Sequence, residues 1–91
     1  MSGDDRKRRA RAAAMETLLV TMIAAKAKIP AETVDADKPF AEHGLDSAMA
    51  VGLVGELETR LGVHLAATLA WDYPTIAALS VYLAARAPDE D

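Results

Sequence analysis

The chain has 91 residues, of which 52% are hydrophobic, 26% charged and only 4% aromatic, with a formal net charge of −4. That suffices for one small domain and leaves little room for a deep catalytic pocket. The absence of cysteine excludes disulfides and thiolate metal sites,, and no apolar run is long enough to span a bilayer.

Abundant alanine with scarce aromatics favours helices over strands. Charge is unevenly distributed. Arg6, Lys7, Arg8, Arg9 and Arg11 are half of all basic residues, whereas from residue 12 onward five basic residues face twelve acidic ones, a balance of −7. Such an acidic body argues against nucleic-acid binding and suits partners with basic docking surfaces. Residues 1–11 read as a flexible, solvated basic tail or a first helical turn, with a nucleic-acid-binding arm as the disfavoured alternative. No signal-peptide apolar segment follows the charged start, so the cytoplasm is the expected location.

The first helix is expected from Ala12 to Lys28, with Met15, Leu18, Leu19, Met22 and Ala25 recurring on one apolar face,. Pro30 closes it. Residues 30–46 form a long polar loop, pinned by Val34 and by Phe40, the only phenylalanine,.

A second helix begins at Ser47 with Asp46 as its N-cap, buries Ala50, Leu53, Val54, Leu57 and Leu61, and stops at Gly62. Its other side carries Met49, Val51, Gly52, Gly55 and Glu56. The two glycines there either admit a close partner or are merely tolerated by a helix held on its apolar stripe. A short helix is expected within Leu65 to Tyr73, ended by Pro74. Thr75 then caps a last helix that buries Ile76, Leu79, Tyr82 and Leu83. Residues 88–91 read as an acidic tail. The pattern is all-α, an antiparallel bundle of three main helices and one short one, spanning 12–87.

Gly44-Leu45-Asp46-Ser47 is the segment that bears on function. It sets one hydroxyl at a helix start, where free N–H groups and the dipole suit a phosphate. The plainer alternative is a first-turn serine with no further role. A hydrolase nucleophile is disfavoured, because the segment is not a Gly-x-Ser-x-Gly elbow and no strand precedes it. His64 is more than about 20 Å from Ser47 at a helical rise of about 1.5 Å per residue. Nothing orients His43 as a base, and lone histidines of this kind are expected at the surface. No His and carboxylate cluster supports a metal. The second helix carries Arg60 among glutamates, which makes a poor nucleic-acid recognition helix.

Three segments together carry a family likeness: Phe40-Ala41-Glu42-His43-Gly44-Leu45-Asp46-Ser47, Leu61-Gly62-Val63-His64-Leu65, and Ala67-Thr68-Leu69-Ala70-Trp71-Asp72-Tyr73-Pro74-Thr75. From Val34 to Leu83 the chain resembles an acyl carrier protein, most closely the carrier domains of modular polyketide synthases. The resemblance implies a four-helix bundle that is not itself an enzyme, with phosphopantetheine attached covalently to Ser47 by a phosphopantetheinyl transferase using coenzyme A and magnesium. Acyl groups would ride on the arm as thioesters and pass to partners such as an acyltransferase or ketosynthase. The chain has no thiol of its own, so that chemistry would belong to the cofactor.

Gly44, Leu45 and Asp46 are expected to frame the attachment site. Ala48, Met49, Val51, Gly52 and Glu56, with Trp71 and Tyr73 from the short helix, are expected to face partners. Three positions depart from the family pattern. Ala48 stands where a larger apolar residue is usual, Ala66 where proline is common, and Trp71 where phenylalanine is usual. Trp71 is read as an enlarged core anchor, with recognition as its alternative role. No membrane partner is implied, and the isolated domain is expected to be monomeric, whether discrete or excised from a synthase. A peptidyl carrier of a nonribosomal system and a cofactor-free interaction module are the alternatives.

Overall fold

A computed structural model describes residues 3–86. Four α-helices follow in order: α1 (Gly3–Ala27), α2 (Ser47–Leu61), α3 (Leu69–Asp72) and α4 (Ile76–Arg86). Single 3-10 turns occupy Ala31–Thr33 and Phe40–His43, and there is no β-strand among the described residues. The fold is the expected all-α bundle of three main helices and one short one. The acidic segment 88–91 lies outside the described residues.

Helix α1 starts at Gly3 rather than at Ala12, so the basic segment is helical along its described length. Arginine, lysine and alanine are good helix formers, and Asp5 lies near the positive end of the dipole. Apolar periodicity set the expected start, but it reports burial rather than helicity. The Arg11 guanidinium donates to the Ala84 carbonyl at 3.2 Å and ties this end of α1 to the end of α4. Leu19, Met22 and Ile23 are buried and Met15 and Leu18 half-buried, while Ala25, expected on that face, is exposed.

Lys28 ends α1 in the left-handed region, at φ 59°. The Ile29 N–H donates to the Ala24 carbonyl at 3.1 Å, which closes a Schellman motif around it,. A side chain with Cβ is disfavoured there, so Lys28→Gly is expected to raise unfolding free energy by about 0.5–1 kcal/mol, read as a shift in urea midpoint.

The loop after α1 is pinned to the start of α4. Ala77 N–H, an orphan donor of α4's first turn, finds the Ala36 carbonyl at 3.0 Å, and Phe40 N–H finds the Pro74 carbonyl at 2.9 Å,. Phe40 is buried and Val34 half-buried, both as expected. His43, expected at the surface, is instead buried. Its Nε2 accepts the Asp35 N–H at 2.9 Å, so the ring holds the loop together from inside,.

Helices α2 and α4 supply most of the remaining core, with Leu53, Val54, Leu57, Ile76, Leu79 and Leu83 essentially inaccessible. Tyr82 is only half-buried, because its ring leans on Tyr73 at 4.5 Å between centroids while Arg86 covers its outer side at 5.6 Å. The Thr75 hydroxyl accepts the Ala78 N–H at 3.1 Å, the expected cap of α4. Gly62, at φ 69°, ends α2. Beyond it one Glu58 oxygen accepts the Leu65 N–H at 2.7 Å and pairs with His64 Nδ1 at 3.0 Å.

Ser80 in α4 is buried, and its hydroxyl has no hydrogen-bond partner among the described residues. Burial of an unsatisfied hydroxyl is costly, so Ser80→Ala is expected to raise unfolding free energy by about 1 kcal/mol in denaturant titration.

Candidate functional site

Ser47 is the first residue of α2 and is exposed. Its position is set from both sides. Upstream, Gly44 turns the chain at φ 88°, a conformation that disfavours any residue with a Cβ,. That turn drops Leu45 into the core, where it is 5% exposed. Downstream, the Asp46 carboxylate accepts the Met49 N–H at 2.9 Å, while its carbonyl accepts the Ala50 N–H at the same distance. The cap thus takes up one orphan donor and leaves the first-turn N–H groups of Ser47 and Ala48 without a helical partner.

Beside the Ser47 hydroxyl lies a cleft of ≈ 210 Å³. Its walls are mostly apolar: Phe40 and Leu45 from the loop, Ala50 from α2, Ala70 and Trp71 from α3. The site therefore combines an exposed hydroxyl, an anion-tolerant helix end and an apolar trough within reach of whatever that hydroxyl bears.

Trp71 corrects one expectation. It is no core anchor, being 53% exposed. Helix α3 is a single turn that buries Leu69 and Ala70, which leaves the indole on the rim of the cleft. Tyr73 is half-buried against the core cluster. Met49 was expected at the exposed opening of α2 but is half-buried against the same cluster. Ala48, Val51 and Gly52 are exposed, as expected. Glu56 lies on that side too, held by Lys26 at 3.2 Å and Arg60 at 3.7 Å. Sequence reasoning missed Pro39, Ala41, Ala70 and Pro74 as cleft residues and gave Phe40 and Ala50 only core roles. They carry no chemical signal of their own and meet Ser47 only where the folded loop and the α3 region close beside it.

Neither histidine is placed to activate Ser47. His43 is buried with its accepting nitrogen committed to Asp35, and His64 is bound to Glu58 beyond the far end of α2. No group of three or more metal-ligating side chains occurs among the described residues. None of their helices is long and apolar enough to cross a membrane.

A small helical bundle that offers an exposed serine at a helix mouth, with neither histidine beside it and the adjacent Asp46 carboxylate engaged as the helix cap, has the architecture of a carrier domain. The phosphopantetheine attachment site family model matches residues 17–83, and the chain belongs to that family. Members bear phosphopantetheine covalently on a serine.

Among curated relatives, one component of the phenolphthiocerol/phthiocerol polyketide synthase of Mycobacterium tuberculosis is 40% identical over 77 residues, 85% of this chain. Spectinabilin polyketide synthase system protein NorA' of Streptomyces orinoci is 48% identical over 62 residues, 67% of this chain. The chain spans only 4% and 2% of those two proteins. Among solved structures, a free-standing peptidyl carrier protein from Acinetobacter baumannii superposes with a TM-score of 0.78 at 39% identity, covering 82% of this chain and 94% of that one. The A1-type ACP domain from module 5 of MLSA1 superposes with a TM-score of 0.80 at 28% identity, covering 90% and 83%.

Proposed function

We propose that this chain is a non-catalytic acyl carrier of polyketide biosynthesis, with the phosphopantetheine arm on the Ser47 hydroxyl. One observation carries the choice of residue. Ser47 and Ser80 are the only serines within the matched segment, and Ser80 is buried in α4 while Ser47 is exposed at the mouth of α2. The surroundings of Ser47 fit the group. A phosphodiester there would meet the unpartnered N–H groups of the first turn and the positive end of the α2 dipole. The pantetheine portion would have the apolar cleft bounded by Phe40, Leu45 and Trp71 beside it. The arm supplies the thiol that the chain lacks.

Asp46 orders the helix start through its bond to Met49 and presents a carboxylate beside the modified oxygen. It is suited to help a phosphopantetheinyl transferase and its magnesium, though it would repel the finished phosphodiester. Ala48, Val51, Gly52 and Trp71 form an exposed surface around Ser47 with a large apolar component, and it is this surface that acyltransferases, ketosynthases or other synthase enzymes would meet. Because Trp71 is half-exposed, Trp71→Ala is expected to leave the fold intact, at a cost below about 1.5 kcal/mol, while slowing acyl delivery from the loaded chain to a partner enzyme. Chemical denaturation and a single-turnover transfer assay would read the two effects separately.

The test of the reading is intact mass after incubation with coenzyme A, magnesium and a broad-specificity phosphopantetheinyl transferase. A gain of one phosphopantetheine is expected, and no gain by a folded, initially unmodified chain would refute it. The similarity to a free-standing peptidyl carrier supports one rival pathway. Acceptance of an aminoacyl group from an adenylating enzyme, with refusal of malonyl-type groups from an acyltransferase, would favour that rival.

A further inference from the structure

The basic cluster at the start of α1 has no part in the site at Ser47. Arg6, Lys7, Arg8 and Arg9 are all exposed, and none forms an ion pair with another described residue. They lie at the opposite end of the bundle from Ser47. Lys26 near the end of α1 reaches Glu56 at 3.2 Å, and Leu18, earlier in α1, lines the same groove as Arg60 near the end of α2. The two helices are therefore antiparallel, and the start of α1 points away from the start of α2.

A groove of ≈ 370 Å³ runs between this end of α1 and the last turns of α4. Asp5, Arg8, Arg9 and Ala12 line one wall, Val81 and Ala84 the other. The α1 residues are spaced at i, i+3, i+4 and i+7, so they form one helix face about 10 Å long at about 1.5 Å rise per residue. The floor is apolar and shallow, since alanine stands at two positions. Val81 is the most exposed large hydrophobic residue described, at 61%. Two guanidinium groups rim this apolar strip, in a chain whose remainder is acidic.

We infer that this groove docks an acidic amphipathic helix of a partner protein. The small side chain of half-buried Ala12, above the buried Ala84 floor, lets a third helix approach closely, with its apolar face over Val81 and its carboxylates on Arg8 and Arg9,. Charge complementarity selects the occupant: Arg8 and Arg9, with Arg6 and Lys7 beside them, outweigh Asp5 on this rim, whereas the chain from residue 12 onward carries −7,. The site lies at the far end from Ser47, so a partner held there leaves the attachment serine uncovered. The inference is independent of what Ser47 carries.

The test uses the full chain and a fluorescein-labelled synthetic helix with leucines on one face and glutamates on the other. A second peptide has glutamine at every glutamate position. Anisotropy should show the glutamate peptide binding and the glutamine peptide binding about tenfold more weakly. Arg8→Glu with Arg9→Glu, and separately Val81→Asp, should each weaken binding by about tenfold or more. These positions are exposed, and circular dichroism verifies the fold of each variant. Phosphopantetheine loading should be unchanged in all of them, which separates this test from that of Ser47. Absence of binding, or binding that Val81→Asp leaves unaltered, would overturn the proposal. So would a dimer in sedimentation that Arg8→Glu dissolves, which assigns the groove to a second copy. Tighter peptide binding by a chain ending at Pro88 would also overturn it, by assigning the groove to the acidic segment 89–91.

Discussion

Phe40→Ala is expected to lower unfolding free energy by about 3–5 kcal/mol, a large part of what a domain of this size has. Phe40 is 4% exposed and is the loop's only aromatic. Its ring packs in the central core, and its N–H joins the loop to Pro74 at 2.9 Å. Removal leaves a cavity where the loop, α2 and the α3–α4 connection meet. The same ring walls the cleft beside Ser47, so the loss reaches the site as well as the core. Guanidinium unfolding followed by far-UV circular dichroism measures the effect. Val81→Ala, on an exposed position of α4, serves as the control and should change stability by less than about 0.5 kcal/mol,.

Ser47→Ala is expected to abolish phosphopantetheine loading while changing stability by less than about 0.5 kcal/mol. The helix start does not depend on the Ser47 hydroxyl, because the capping bond comes from Asp46. The variant therefore separates folding from function cleanly. Ser80→Ala is its counterpart, since it removes the only other serine of the matched segment and should load as the unaltered chain does. Intact mass after the transferase reaction reads both variants. Residual loading in Ser47→Ala, or its loss in Ser80→Ala, would move the attachment site elsewhere.

Residues that act through local chemistry were legible in the sequence. Asp46 and Thr75 cap their helices, Gly62 stops α2 in the left-handed region, and Phe40 is buried, because each reading depends on neighbours a few positions away. The site residues around Ser47 were legible for the same reason, being consecutive. What escaped depends on distant packing. His43 looked like a surface histidine until the loop folded Asp35 back onto its ring. Trp71 looked like core because tryptophan is large and apolar, yet a one-turn helix has only one buried side, and Leu69 and Ala70 occupy it. The start of α1 was missed because its first turns are helical without an apolar face. Ile23, fully buried, was missed while Ala25 was placed on the inner face, a small angular error that alanine-rich helices invite,.

The central claim is that Ser47 bears the arm, and tandem mass spectrometry of the loaded chain tests it most directly. The phosphopantetheine mass is expected on the peptide that contains Gly44-Leu45-Asp46-Ser47, with Ser2 and Ser80 unmodified. A modified Ser2 or Ser80, or a folded chain that accepts no arm, would contradict it.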